Sequence, residues 1–243
     1  MSLEQSDYIN LRVGSYNIGS GDLHVGHNME LIARDILSRQ LDIVGLQEVD
    51  RVAWRTGYAD MPQLLSEYTG YPYYYYSKCV SLHGRPNANG EYGDCVLSKY
   101  PIQSAEHTIL EHGRREARSL SCVQVDVNGT MINFHNTHLE HGRKDQNQEL
   151  RLTQLAQIAD LLRDESCCIL TGDFNCSPED QYGALSFLTG VCKTTGEPFT
   201  HPRSASTIDN ILFSGDIQLV SADVLYSGAS DHSLLYAEFK IKK

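Results

Sequence analysis

Two polar residues, Asp173 and Asn175, follow a short apolar run over residues 167–170 that is typical of a buried strand. Residues two apart in a strand point the same way, so both side chains could face one spot, with Phe174 turned into the core. A carboxylate accepts hydrogen bonds or binds a hard cation, and an amide donates to an anion. The pair could therefore hold a water molecule against a phosphate. The alternative is an Asx turn, because Asp and Asn favour turns for local reasons.

Two further oxygen donors stand at strand ends in the first part of the chain. Asn17 ends a predicted strand over residues 11–16, and Glu48 follows a predicted strand over residues 41–46. Oxygen ligands brought together in this way suit a hard divalent cation. For Glu48 taken alone, a solvent-facing side chain is the alternative.

Asp209 and His232 form a second candidate pair. Asp209 lies inside a predicted strand over residues 207–213, where burying a carboxylate is costly unless it is paired. His232 follows Asp231 and precedes the last predicted strand, over residues 234–239. Asp209 could hold and charge His232, as a carboxylate orients a catalytic imidazole.

Zinc and disulfides find less support in the sequence. His135, His138 and His141 are spaced in threes, but residues three apart in a strand alternate faces, so their rings cannot converge without a bend. The seven cysteines are scattered without paired metal-ligand spacing, and several stand in apolar runs. They are expected to be reduced core thiols.

The remaining polar features are basic and aromatic. Arg114, Arg115 and Arg118 precede a predicted strand over residues 120–127, and an arginine there could clamp a phosphate bidentately. Four tyrosines at residues 73–76 could stack nucleic-acid bases, but a half-buried strand is the more common use of such a run.

Helices and strands alternate so as to position these residues in one large domain. Two strand, helix, strand units are predicted, and no linker divides the 243 residues. The first unit combines strands 11–16 and 41–46 with a helix over residues 29–39, for which Asn28 is the expected N-cap, and the second combines strands 131–139 and 167–170 with a helix over residues 148–163. Shorter helices are predicted over residues 61–68 and 184–188.

The net charge of -11 limits the partners. The chain has 20 basic residues against 31 acidic ones, whereas proteins that track a long duplex neutralise phosphates with many Lys and Arg. No basic segment leads into an apolar one near Met1, and no apolar run approaches bilayer length. A cytoplasmic protein without membrane contact is therefore expected, with nucleic acid disfavoured as a partner; the oligomeric state is left open.

Six short motifs in this order resemble the endonuclease/exonuclease/phosphatase (DNase I-like) superfamily of metal-dependent phosphoesterases. The motifs are LRVGSYN at residues 11–17, LQEVD at 46–50, NTHL at 136–139, TGDFN at 171–175, TIDNIL at 207–212 and SDH at 230–232. The resemblance implies an α/β fold, a four-layer α/β/β/α sandwich of two mixed sheets flanked by helices, with the site at one rim. It also implies a single domain over residues 1–243, with its core at about residues 11–239.

The resemblance also implies roles for the residues at the motifs. Asn17, Glu48 and Asp231 would bind Mg²⁺ or Mn²⁺, Asp173 and Asn175 would orient the attacking water and contact the phosphate, and His232 with Asp209 would act as general base or phosphate-stabilising histidine. His138 resembles a second histidine of the DNase I and sphingomyelinase branches, which argues against an abasic-site endonuclease.

Some positions are similar to an uncharacterised bacterial branch of the superfamily. Arg118 and Arg55 are the candidate substrate-binding residues, and Asp60, Arg143 and Gln146 also match that branch. Asp94 departs from the pattern, since Asn is expected after the Tyr-Gly pair. A carboxylate there would repel a phosphate unless it faces away or binds a cation.

The function expected is metal-dependent hydrolysis of a phosphoester by in-line attack of water, with a small soluble phosphodiester or phosphomonoester as the favoured substrate. A nuclease acting on DNA or RNA is the alternative. A lipid headgroup phosphodiesterase is disfavoured because no membrane-inserting apolar hairpin is apparent. A catalytically inactive binding module is disfavoured because every expected polar position is filled.

Overall fold

The computed structural model describes residues 7–19, 25–82, 89–142, 144–192 and 199–243, with the side chains of the first helix described from residue 28. The strands are β1 Tyr8–Asn17, β2 Ile43–Arg51, β3 Tyr73–Leu82, β4 Gly90–Ser98, β5 Ile102–Ile109, β6 Ser119–Val127, β7 Thr130–His138, β8 Cys168–Asp173, β9 Thr189–Gly190, β10 Asp209–Phe213, β11 Ile217–Leu225 and β12 Leu234–Lys242. The α-helices are α1 Val25–Ser38, α2 Met61–Thr69, α3 Asp145–Leu162 and α4 Pro178–Ala184, and 3₁₀ turns lie at Trp54–Thr56 and Pro202–Ser204.

The strands form two six-stranded sheets, which we call sheet A and sheet B. Sheet A has the order β11-β12-β1-β2-β4-β3, and sheet B has the order β5-β6-β7-β8-β10-β9. In the described part of the chain, the parallel pairs are β1 with β2 and β7 with β8. Helices α1 and α3 connect these two pairs, as parallel neighbours require a crossover. Both predicted strand, helix, strand units are thereby confirmed.

Three apolar clusters divide the molecule into four layers. The cluster between the sheets combines inward residues of both, including Leu11, Val13, Phe134, Ile169 and Phe239. A second cluster packs α1 and α2 on the outer face of sheet A, through residues such as Ile32, Ile36, Leu46 and Leu65. A third packs α3 on the outer face of sheet B, through residues such as Leu155, Ile158, Leu170 and Phe174. The four-layer sandwich of two mixed sheets flanked by helices is thereby confirmed.

A buried polar network crosses the interface between the sheets. Asn136 of sheet B accepts hydrogen bonds from Gln47 Nε2 of sheet A at 2.7 Å and from Thr171 Oγ1 at 3.0 Å, and it donates to the Leu46 carbonyl at 2.9 Å. Gly45 stands against this network, because a Cβ there would lie 2.1 Å from Thr171 Oγ1 and 2.5 Å from Asn136 Oδ1. The absence of a side chain at Gly45 therefore lets the two sheets approach at this point.

Two predicted helix boundaries were wrong. Asn28 is not an N-cap, because α1 already begins at Val25; the apolar stripe that guided the prediction starts only at Met29. The helix predicted over residues 184–188 lies earlier, at Pro178–Ala184. Ser177 caps this helix by accepting from the Asp180 N–H, and Pro178 follows as a favourable first helical residue. The capping residues therefore set where the helix begins, and the apolar spacing over residues 184–188 does not.

Tyrosines 73–76 lie in the edge strand β3. Tyr75 packs against the cluster between the sheets and Tyr76 against the cluster under α1 and α2, while Tyr73 and Tyr74 are exposed. Two of the four tyrosines thus serve the core on opposite faces of the strand. All seven cysteines are free, and no described helix is long and apolar enough to cross a bilayer.

Candidate active site

The polar residues at the strand ends meet at one edge of the sandwich, which we call the rim. Asn17 is the last residue of β1, His138 the last of β7 and Asp173 the last of β8. Asp209 begins β10 and stands directly opposite Asp173, which in turn is paired with His138. The parallel pairing of β1 with β2 and of β7 with β8 therefore brings donors from both sheets to the rim.

A cavity of about 280 Å³ opens at the rim. Twelve residues line it, namely Glu48, Tyr92, Glu116, Arg118, His138, His141, Asp173, Asn175, His201, Ile208, Asp231 and His232. Seven of the ten residues predicted from the sequence are among them. Asn17 and Asp209 stand directly behind the wall and hold lining residues, whereas Arg55 does not line the cavity.

Asn17 joins the two sheets at the floor of the site. Its Nδ2 donates to Glu48 Oε1 at 3.1 Å and to Asp173 Oδ2 at 2.9 Å, while its Oδ1 accepts from the Gly19 N–H at 3.0 Å. One amide from sheet A thus bridges the half-buried carboxylate of Glu48 and the buried carboxylate of Asp173. Without that amide the like charges of Glu48 and Asp173 would repel each other at short range.

Glu48 reaches the cavity through an irregularity in β2. The β2–β4 register shifts between Leu46 and Val49, and Glu48 has a left-handed backbone with φ of 56°. Glu48 therefore lies within the strand at a bulge, not beyond its end as the sequence suggested. Such a backbone costs roughly 1–3 kcal/mol for a non-glycine residue and is characteristic of sites where a side chain is redirected.

The donor set around Glu48 fits a hard divalent cation. Burial raises the pKa of Glu48, and the hydrogen bond from Asn17 offsets this only in part. Asp231 lines the same cavity, with its Oδ2 3.7 Å from His201 Nε2 and 4.0 Å from Arg203 Nη1. Carboxylate oxygens are the ligand type that Mg²⁺ and Mn²⁺ prefer, whereas Asn17 presents its Nδ2, not its oxygen, to Glu48. A cation would also compensate the desolvation of the Glu48 carboxylate.

His232 lies between two buried carboxylates. Its Nδ1 is 2.9 Å from Asp209 Oδ2, and its Nε2 is 3.7 Å from Asp173 Oδ2. Burial alone would lower the pKa of His232, but Asp209, followed by Asp173 and Asp231, raises it to about 10. Burial, and then the charge of Asp209, raises the pKa of Asp173 to about 7. The arrangement therefore keeps a proton on His232 and leaves Asp173 able to accept one near neutral pH.

Asp173 and Asn175 reach the cavity through a turn. Asn175 has φ of 52°, and its N–H donates to Asp173 Oδ1 at 3.0 Å, which is the hydrogen bond of an Asx turn. Its Nδ2 lies 3.0 Å from His138 Nε2 and donates to the Leu139 carbonyl at 3.1 Å. The expectation that a regular strand points both side chains to one spot was wrong. Asp173 and Asn175 nevertheless both line the cavity, because the Asx turn directs the Asn175 side chain there. Phe174 between them is fully buried, as predicted.

Arg118 supplies a buried positive charge to the opposite wall. Its Nη1 lies 3.2 Å from Tyr92 Oη, 3.2 Å from His138 Nδ1 and 3.2 Å from Glu116 Oε1, and its Nη2 is 3.2 Å from His141 Nδ1. Burial, followed by the charge of Arg118, lowers the pKa of His138 well below its usual value. His138 is therefore neutral and can accept a hydrogen bond from Arg118 through Nδ1, while the charge of Arg118 is paired with Glu116.

A family model, described as Endonuclease/Exonuclease/phosphatase family, matches residues 14–232. The chain belongs to this family. Its enzymes generally hydrolyse phosphoesters and typically use divalent metals, so the chain falls in the general class of phosphoesterases. No curated protein matches the sequence.

Solved structures share the fold. A member of this family from Beutenbergia cavernae is 22% identical with a TM-score of 0.80, covering 96% of this chain and 72% of that chain. The mannosyl-6-phosphatase Bt3783 of Bacteroides thetaiotaomicron is 19% identical with a TM-score of 0.69, covering 94% of this chain and 99% of that chain. D. rerio TDP2, complexed with a single strand DNA product, is 17% identical with a TM-score of 0.70, covering 95% of this chain and 98% of that chain.

Arg55, matched to the family's bacterial branch, is used differently from a phosphate clamp. Its Nε and Nη2 donate to the two carboxylate oxygens of the buried Asp50 at 2.8 and 2.7 Å. Its guanidinium also lies 5.3 Å from the centre of the Tyr92 ring. Arg55 therefore supports a residue of the cavity wall from behind. Of the other matched residues, Asp60 caps α2 and Gln146 is exposed in α3, while Arg143 lies outside the described residues.

Asp94, the departure from the family pattern, faces the protein interior. Its side chain is buried next to Cys79, whose Sγ lies 3.9 Å from Asp94 Oδ2, and it does not line the cavity. Burial raises the pKa of Asp94 to about 8 despite the nearby positive charge of Arg118. The carboxyl is therefore largely protonated at neutral pH and does not oppose an anion in the cavity.

Five lining residues were not predicted to belong to the site, namely Tyr92, Glu116, His141, His201 and Ile208. His201 precedes the 3₁₀ turn Pro202–Ser204, and its ring packs edge-on against His232 with centroids 4.6 Å apart. No strand-end pattern marks His201 in the sequence. The run of histidines spaced in threes marks His141 in the sequence, but as a candidate zinc ligand and not as a residue of this site.

Proposed function

We propose that the protein is a Mg²⁺- or Mn²⁺-dependent hydrolase of a small soluble phosphodiester or phosphomonoester. The observation that carries the proposal is the chain of contacts from Glu48 through Asn17 and Asp173 to His232 and Asp209, which joins an oxygen-donor site to a proton-transfer pair. Glu48, Asp173 and His232 of this chain of contacts line the same cavity. Hydrolysis of a phosphate ester needs these two functions side by side.

Glu48 would hold the cation, and Asp231 and Asn17 would assist directly or through water. A bound cation would supply Lewis-acid charge for the phosphate oxygens. Asn17 donates to both Glu48 and Asp173, so it would also keep the cation-binding carboxylate apart from the proton-accepting one.

Asp173 would position the attacking water and accept its proton. Oδ2 of Asp173 is held by Asn17 and Oδ1 by the Asn175 N–H, so the carboxylate presents a fixed geometry. His232, kept protonated by Asp209, would donate from Nε2 to a phosphate oxygen. This division assigns the base to Asp173 and the phosphate-stabilising role to His232.

Asn175, His138 and Arg118 would stabilise the charge on the non-bridging oxygens. Asn175 and His138 line the cavity together, and Arg118 contacts His138 from behind. Removal of a single donor of this kind typically slows the reaction by about 10²–10³-fold.

The size and charge of the molecule favour a small substrate. The cavity of about 280 Å³ would admit a phosphate with a modest leaving group, and the net charge of -11 disfavours a long duplex. One structural neighbour is a mannosyl-6-phosphatase, which agrees with a sugar phosphate. The second candidate is a nuclease, because another neighbour holds a single strand DNA product. The seven free cysteines agree with a reducing compartment such as the cytoplasm.

A substrate panel tests the proposal directly. Bis-p-nitrophenyl phosphate, p-nitrophenyl phosphate, sugar phosphates, single-stranded DNA and duplex DNA would each be incubated with Mg²⁺, Mn²⁺ or EDTA. We expect hydrolysis of at least one small ester, dependent on the metal and abolished by EDTA. Turnover that persists in EDTA would contradict the metal dependence, and turnover of DNA alone would favour the nuclease. No turnover of any substrate would favour the inactive binding module.

The variant Glu48→Gln tests the site within the same assay. It removes the charge that would hold the cation, so turnover should fall by at least about 10²-fold. Glu149→Gln is the matched control, because Glu149 is exposed on α3 and does not line the cavity. Equal activity of both variants with Mg²⁺ would refute the assignment.

A further inference from the structure

A second cluster of metal-ligating side chains lies away from the rim. His135 of β7, Glu165 between α3 and β8, and Cys168 at the start of β8 each offer one ligand atom, and these atoms lie within 4.8 Å of one another. His135 stands three residues before His138 along β7, and Cys168 stands five before Asp173 along β8. At about 3.3 Å per residue, the cluster is roughly 10–17 Å from the catalytic side chains.

One ring nitrogen of the histidine in this cluster lacks a hydrogen-bond partner among the described residues. His135 is 2% exposed, and its Nε2 lies 2.7 Å from Glu165 Oε2. Its Nδ1 is buried and has no hydrogen-bond partner among the described residues. A buried polar atom without a partner costs about 1–3 kcal/mol, so the cluster contains a donor or acceptor whose partner is absent.

A second thiol lies beside the cluster, outside the group of three whose ligand atoms fall within 4.8 Å. Cys122 of β6 is directly opposite His135 in the β6–β7 pairing, so both side chains lie on the same face of sheet B. Together with His135 and Glu165, Cys122 lines a cavity of about 370 Å³ that provides access from solvent. Cys122 is partly exposed, whereas Cys168 is fully buried.

The types of donor distinguish this cluster from the catalytic one. The rim offers carboxylate and amide oxygens, which suit Mg²⁺ or Mn²⁺. The second cluster offers thiol sulfur, imidazole nitrogen and one carboxylate, which is the mixture that tetrahedral zinc takes. Magnesium binds poorly to sulfur, so the two sites would be loaded by different metals.

We infer that His135, Glu165, Cys168 and Cys122 form a zinc site on the outer face of sheet B. The zinc ion would tie β6, β7 and β8 to the segment that follows α3. It would act as a structural crosslink, separate from the phosphoesterase site, and its binding would not depend on any substrate.

Cobalt replacement provides a direct test with the full chain. The protein would be stripped of metal, supplied with excess Mg²⁺ to fill the oxygen-donor site, and titrated with Co²⁺. We expect one equivalent of Co²⁺ to give the thiolate charge-transfer absorption of a sulfur-ligated ion, and one equivalent of Zn²⁺ to abolish it. Zn²⁺ should also raise Tm by several degrees, since a ligand that binds only the folded state stabilises it.

A pair of cysteine variants provides the control. Cys168→Ala should weaken Co²⁺ binding by at least tenfold and remove most of the charge-transfer absorption. Cys95→Ala should leave both unchanged, because Cys95 is equally buried but lies in β4 of the other sheet. If Cys168→Ala does not fold, Glu165→Gln, at a partly exposed position, should give the same tenfold loss. Absence of thiolate absorption in the native protein, or full retention of binding in the folded variants, would overturn the inference.

Discussion

At the scale of single residues, the site is governed by the charge around His232. Asp209 makes two contacts with Nδ1, at 3.1 and 2.9 Å, and holds the pKa of His232 at about 10. Charge on the imidazole therefore depends on a residue that does not itself line the cavity. A carboxylate with this role acts by positioning and charging its partner.

Asp209→Asn should lower the pKa of His232 and slow turnover by about 10²-fold or more, because the amide keeps the shape but not the charge. The pKa would be followed by the NMR titration of the imidazole protons, and kcat would be measured across pH 5–9. With the partner charge gone, His232 should lose its proton within this range, so the variant's residual activity should fall as pH rises. A pKa and a kcat like those of the native protein would contradict this role of Asp209.

Asp94→Asn should stabilise the protein at neutral pH. The folded pKa of Asp94 is about 8, against about 4 for an unfolded chain. The folded state therefore keeps a proton that the unfolded state has released, so the free energy of unfolding falls as pH rises from about 4 to about 8. The variant has no carboxyl group at this position. Its free energy of unfolding should therefore exceed that of the native protein by on the order of a few kcal/mol at pH 8 and by little at pH 4. Urea unfolding in EDTA at both pH values provides the measurement, and an equal difference at both would contradict the assignment.

At the scale of elements, the strand ends were predictable and their side-chain partners were not. Apolar runs and helical spacing indicated β1, β2, β7, β8 and α3 because these patterns report burial, and the polar residues that follow the runs were predicted with them. The bulge at Glu48 and the turn at Asn175 depend on left-handed backbones, which periodicity does not reveal.

Among pairs of distant residues, the sequence predicted the contact of Asp209 with His232, but not the others. Similarity to the family pattern does not reveal that Arg55 binds the nearby Asp50 or that Asp94 turns inward. His135 meets Glu165, thirty residues later, through the β7–α3–β8 crossover. Such contacts arise from tertiary packing, which a single sequence does not encode as a local signal.

Gly45→Ala should separate the two sheets locally. A methyl group would displace Thr171 or Asn136 and break buried hydrogen bonds, so the free energy of unfolding should fall by roughly 2–6 kcal/mol. Gly183→Ala is the control, since nothing lies within 4 Å of a Cβ there and alanine favours the helix α4. Chemical denaturation would compare the two, and a Gly45→Ala protein as stable as the control would refute the close approach.

At the scale of the whole molecule, charge predicts poor binding to duplex DNA. With a net charge of -11 the protein lacks the cations needed to displace counterions, so Kd for a thirty-base-pair duplex should exceed about 10⁻⁴ M at physiological salt. Fluorescence anisotropy with Ca²⁺ in place of Mg²⁺ would measure binding without cleavage. Micromolar affinity would contradict the expectation and strengthen the nuclease alternative.

The order of strands in sheet A has a consequence for synthesis of the protein. Strand β12 lies between β11 and β1, and Asp231 and His232 come immediately before it. Asp231 therefore leaves the ribosome 183 residues after Glu48, with which it shares the cavity. By the mechanism proposed above, a nascent chain would not hydrolyse a phosphoester until β12 had inserted between β11 and β1, so the onset of activity would report the pairing of this strand.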